Sequence, residues 1–88
     1  MHLIISEHFK TPDEFQDFIN QKLEFPDYYG HNLDALWDCL TGYVDMPLKI
    51  EWRSFSSFRN NNEEYAAALL KLFKDAKNEL DGFEFKHN

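Results

Sequence analysis

The chain is predicted to be a small α/β protein: three parallel strands in one sheet, with four helices packed on it. Two observations carry this. Short β-rich apolar runs at residues 3–5, 48–52 and 83–85 are separated by segments with helical spacing, and strands joined through helices pair in parallel by crossovers. The 88 residues are 43% hydrophobic and 17% aromatic, with nine Phe, enough large side chains for one modest core. A chain of this size is expected to form one domain over residues 1–88, with no room for a second.

Leu3-Ile4-Ile5 reads as a buried first strand. Thr11-Pro12-Asp13-Glu14 is a helix start: Thr11 caps, Pro12 suits the first helical position, and Glu14 stands where a capping box places its carboxylate. Phe15, Phe18, Ile19 and Leu23 follow one helical face. Pro26 and Gly30 bracket a loop, Phe25 to His31, that carries Tyr28 and Tyr29. A second helix begins at Leu33 with Asn32 as cap and stops at Gly42, its apolar stripe being Leu33, Leu36, Trp37 and Leu40. Leu48-Lys49-Ile50-Glu51-Trp52 alternates as a strand does. Residues 53–60 form a short helix, and a long one runs from about Glu63 to Leu80, with Tyr65, Ala66, Leu69, Phe73, Ala76 and Leu80 on one side. Gly82 ends it, and Phe83-Glu84-Phe85 is the last strand. Lys49, Glu51, Glu84 and Lys86 indicate a sheet with one partly wet face. Strand order does not follow from periodicity.

Sixteen acids against nine Lys and Arg give a net charge of −7. That is the wrong sign for neutralising phosphates, so nucleic acid is not an expected partner, nor is an anionic membrane surface. Cys39 is alone, so no internal disulfide is expected. No apolar run approaches the roughly 18 residues of a membrane span, and the first residues do not read as a leader, which makes the cytoplasm the expected location. No cofactor is expected.

The informative stretch lies between Leu23 and Leu48. It holds Glu24, Asp27, Asp34, Asp38 and Asp45 and no Lys or Arg. Asp34 and Asp38 stand four apart on one helix, a like-charge spacing that costs about 0.2–0.5 kcal/mol. Asp34 is favoured by the helix dipole, whereas Asp38 in the last turn forfeits about 0.3–1 kcal/mol. Neither has a Lys or Arg at i±3 or i±4. A solvated face tolerates such a pair; alternatively the pair is held for a cationic partner. Tyr28, Tyr29, Trp37 and Tyr43 flank it, and aromatic residues concentrate at the energetic centres of interfaces. Trp37 also lies on the apolar stripe, where only its edge would be exposed. His31, Asp34 and Asp38 form a conceivable oxygen-rich site for Mg²⁺ or Mn²⁺. Cys39 with His31 could imitate a thiol nucleophile and its base, but Cys39 is expected to pack inside, where thiols are inert.

The run Tyr28-Tyr29-Gly30-His31-Asn32-Leu33-Asp34-Ala35-Leu36-Trp37-Asp38-Cys39-Leu40-Thr41-Gly42 resembles the central segment of the barstar family. The similarity continues through Pro47-Leu48, Glu51-Trp52-Arg53 and Phe73-Lys74-Asp75-Ala76-Lys77. The resemblance implies a three-stranded parallel sheet with packed helices and a small cytoplasmic inhibitor that blocks a basic extracellular ribonuclease, barnase, in a 1:1 complex. It implies that the second helix and the loop before it plug the enzyme's active site, with Asp38 in the place of a substrate phosphate. Asp34 and Asp75 match further acidic contacts. Tyr28, Tyr29, Asn32, Leu33, Trp37, Thr41, Gly42, Tyr43 and Val44 match the surrounding surface, and Glu79 a peripheral acid. The chain departs from the family pattern at Tyr43 (Trp in the family), Asp75 (Glu) and His31 (an acid), and a second family cysteine has no counterpart. The competing expectations are an immunity protein or antitoxin of the same fold against a different basic-cleft enzyme, a small metal-dependent hydrolase using His31, Asp34 and Asp38, and an acidic face that serves solubility alone.

Overall fold

A computed structural model describes residues 1–88. The elements run β1 (His2–Ile5), α1 (Pro12–Lys22), α2 (Leu33–Gly42), β2 (Leu48–Trp52), α3 (Phe55–Asn61), α4 (Glu63–Glu79) and β3 (Phe83–His87). The strands form one parallel sheet in the order β1-β2-β3. Leu3 and Ile5 stand opposite Ile50 and Trp52, which in turn face Phe85 and His87. Burial alternates along β1 and β2, so one sheet face carries the core. The other presents His2, Lys49, Glu51, Glu84 and Lys86, the wet face expected from the sequence. There Arg53 donates to Glu51 at 2.6 Å and, with smaller help from other bases, holds its carboxyl below the usual range.

The core is a single cluster of 21 buried residues. Its aromatic centre is Trp52, which stacks on Phe15 with ring centroids 4.8 Å apart and planes 11° off parallel. α4 packs against α2, α3 and β3, and this seat fixes where α2 stands. α1 starts as its sequence dictates. The Thr11 hydroxyl accepts from the Glu14 N–H at 3.2 Å, while the Glu14 carboxylate reaches one residue further back, to the Lys10 N–H at 2.9 Å. Gly82 ends the α4–β3 connection at φ +90°, where a Cβ would meet the Pro47 Cα at 3.3 Å; both the backbone angle and the close approach call for glycine. No helix is long and apolar enough to cross a membrane.

One buried polar side chain links three elements. Gln16 of α1, 1% exposed, accepts from the Tyr29 hydroxyl and donates to the Tyr65 hydroxyl at 2.8 Å. It thereby joins α1, the loop before α2, and α4. Every buried side-chain polar atom has a hydrogen-bond partner, as a low-dielectric interior requires.

Candidate functional site: the acidic face of α2

The loop before α2 is tightly determined. The Tyr29 N–H donates to the Pro26 carbonyl at 2.9 Å. His31 takes a left-handed backbone, φ +54°, which turns the chain into the helix. Asn32 then caps α2: its Oδ1 accepts from the Ala35 N–H at 2.7 Å and its Nδ2 donates to the Gly30 carbonyl at 3.3 Å. Leu36, Cys39 and Leu40 anchor the inner face. That orientation leaves Asp34 and Asp38 exposed on the outside, one helical turn apart. The four ion pairs of the chain join His2 to Glu51, His31 to Asp17, Arg53 to Glu51 and Lys71 to Asp75. None involves Asp34 or Asp38, so the pair stands without a counter-charge.

Depressions flank the acids. The first, about 370 Å³, is lined by Tyr28, Tyr29, Gly30, Asn32, Asp34, Ala35, Asp38 and Cys39. The second, about 230 Å³, lies between α2 and α4 and is walled by Leu33, Asp34, Trp37, Ala68, Lys71, Leu72 and Asp75. Asp34 belongs to both. Tyr43 and Val44 line a separate depression beyond the end of α2, with Met1, Leu23, Glu24 and Asp45. Thr41 and Gly42 are exposed at the last turn, with the Thr41 hydroxyl donating to the Trp37 carbonyl at 2.8 Å. Glu79 is exposed at the end of α4 and lines neither flank of α2.

The aromatic residues divide by depth. Tyr28 is 86% exposed and Tyr43 51%, available to a partner from the start. Tyr29 is only 6% exposed. Its ring packs on Phe25 at a centroid distance of 4.6 Å and its hydroxyl is committed to Gln16, so little of it is left to meet a partner. Burial, aided by the charges of its neighbours, pushes its phenol well above the ordinary value. Trp37 is half-buried against the core, in keeping with its place on the apolar stripe.

The structure does not assemble the constellation of His31, Asp34 and Asp38. The His31 ring turns toward α1, with Nε2 3.2 Å from the Asp17 carboxylate and Nδ1 3.1 Å from the Tyr29 carbonyl oxygen. No group of three or more His, Cys, Asp or Glu side chains is placed to hold a metal ion. Cys39 is buried, and burial together with the neighbouring Asp38 charge pushes its thiol pKa up, away from the nucleophilic thiolate. Sequence reasoning missed Gly30, Ala35, Ala68, Lys71 and Leu72 as walls of the two depressions. For Lys71 a signal existed, since it precedes Asp75 by one helical turn.

Two comparisons with known proteins bear on this arrangement. The family model described as Barstar (barnase inhibitor) matches residues 1–88. "Putative ribonuclease inhibitor YrdF" of Bacillus subtilis (strain 168) is 43% identical over 84 residues, which cover 96% of this chain and 91% of that protein. A parallel three-stranded sheet, a capped helix bearing two free carboxylates, and a family match over the whole sequence agree with one another: the chain belongs to the barstar family.

Proposed function

We propose that this protein inhibits a barnase-type ribonuclease by occupying its active site, one inhibitor to one enzyme, with Asp38 in the place of a substrate phosphate. The observation that carries this reading is the unpaired state of Asp34 and Asp38 on a helix whose cap, loop and inner face are all fixed. A ribonuclease presents Arg, Lys and His to the phosphate in its transition state. A rigid helix offering two uncompensated carboxylates, with a depression on either side to admit the ends of basic side chains, competes with RNA for those groups. Tyr28, Asn32, Leu33, Trp37, Thr41, Gly42, Tyr43 and Val44 form the surface around the acids, Tyr29 supports it from beneath, and Asp75 and Glu79 extend the negative charge onto α4. The chain performs no chemistry of its own in this role.

Such an inhibitor protects the cell that makes the ribonuclease, a role that would place it in the cytoplasm as the enzyme's immunity partner. The run of five acids without a base steers encounter, so association should slow steeply as salt rises. The test is titration of a purified barnase-type ribonuclease with this protein at low and physiological salt. Stoichiometric inhibition whose association rate falls with salt is expected. A folded protein that leaves RNA cleavage untouched would reject the reading and redirect the search to other basic-cleft enzymes.

A further inference from the structure

We infer that Lys71 is a specificity determinant of the inhibitory surface, withholding Asp75 from a cationic partner; this inference rests on the function proposed above. Lys71 is the one basic side chain in the walls of the groove between α2 and α4. Its Nζ lies 3.0 Å from the Asp75 Oδ2. The Lys71 side chain is 78% exposed and that of Asp75 46%, so the ammonium stands at the mouth of the groove.

The pair does little for the fold. Exposed ion pairs contribute roughly 0–1 kcal/mol, and a base placed N-terminal to its acid at i,i+4 is the weaker orientation on a helix. Its consequence lies in what an approaching enzyme meets. Asp34 and Asp38 present full negative charges, whereas at Asp75 the partner meets an ammonium and a carboxylate that largely cancel. An enzyme with Arg or Lys opposite this point is repelled by Lys71 and must break the pair to reach Asp75. An enzyme with a neutral or acidic side chain there encounters no such barrier. The surface therefore divides into an unconditional acidic centre on α2 and a guarded acid on α4, and the guard selects among basic-cleft enzymes.

The experiment is a double-mutant cycle on inhibition of a purified barnase-type ribonuclease, using the full chain, Lys71→Ala, Asp75→Asn and the double variant. Circular dichroism is run on all four, and alanine preserves helix propensity at this position. Lys71→Ala is expected to tighten inhibition roughly two- to fivefold, the span of one exposed charge pair. Asp75→Asn should weaken inhibition in both backgrounds, and by more once Lys71→Ala has released the carboxylate to the enzyme. Inhibition by the unaltered chain with no gain from Lys71→Ala, or an equal loss from Asp75→Asn in both backgrounds, would overturn this inference and leave the proposed function standing. Four folded variants that all fail to inhibit would overturn both.

Discussion

Replacing Asp38 with Ala should separate folding from function in opposite directions. In the free protein Asp38 is exposed and has no ion-pair partner. Its removal relieves the like-charge spacing with Asp34, worth about 0.2–0.5 kcal/mol. The dipole contribution falls at the low end, about 0.3 kcal/mol, because α2 continues to Gly42 and Asp38 only opens its last turn. Alanine adds up to about 0.7 kcal/mol of helix propensity. The net expectation is a gain of about 1 kcal/mol, or roughly 4–8 °C in Tm for a domain of this size. The charge-derived part should shrink at high salt while the propensity part persists. In the complex the same residue is the proposed centre of the contact. Truncating a charge at such a centre commonly costs at least about 2 kcal/mol, or roughly 30-fold in affinity, a generalisation to which the barnase–barstar pair has itself contributed. Thermal unfolding by circular dichroism and inhibition titrated against ribonuclease measure the two quantities on the same sample. A variant that loses stability and inhibition together would refute the reasoning, because Asp38 would then be part of the fold.

Gly42 offers an independent version of this test. A Cβ there meets nothing within 4 Å and its φ is not positive, so Gly42→Ala should stabilise the free chain by up to about 1 kcal/mol; if the partner's backbone packs on this turn, the added methyl weakens inhibition, which titration reads directly. Gln16→Leu strands the buried Tyr29 hydroxyl, at a cost of about 1–3 kcal/mol, and removes the partner of the half-buried Tyr65 hydroxyl. Urea unfolding should register that loss, whereas Tyr65→Phe, which removes one partner only, should cost less. The pH dependence has a definite sign at the alkaline end. Burial raises the pKa of Tyr29 and Tyr65 in the folded chain above the ordinary value of 10.0, so their neutral forms favour folding below about pH 10. As pH climbs past 10 the unfolded chain releases these protons first, and stability should fall progressively; Tyr65→Phe should flatten that decline.

The local chemistry of α2 was legible because each signal acts within a few residues. Asn32 as cap and Gly42 as the last residue follow from helix-terminus rules alone, and β2 follows from the alternation of Leu48 to Trp52. The long helix was placed to within a residue, although the buried Leu72 escaped its predicted stripe, and β3 runs on to His87, two residues past its apolar part. The order β1-β2-β3 was not legible, since three parallel strands joined by helices permit several orders and only packing chooses among them. Side-chain direction in the loop was equally hidden. Tyr28 and Tyr29 are adjacent and chemically identical, yet one faces solvent and the other reaches Gln16, a decision made by contacts 13 residues away. His31 reads as a neighbour of Asp34, but its left-handed backbone delivers the ring to Asp17. Both depend on where α1 lies, which no short-range pattern encodes.

The register that sets His2 against Lys49 has a consequence for how much of the chain the proposed inhibition requires. Every residue of α1, the Phe25–His31 loop and α2 lies inside the connection between two hydrogen-bonded neighbours. Isolated helices shorter than about 12–15 residues are marginal in water, so the 10 residues of α2 hold their shape through their packing in the folded chain, against α4 above all. Excised as a peptide, the segment would carry the same charges without the geometry. Inhibitory capacity should therefore track the folded fraction along any denaturation curve, with no smaller working fragment and no partly unfolded form that still inhibits.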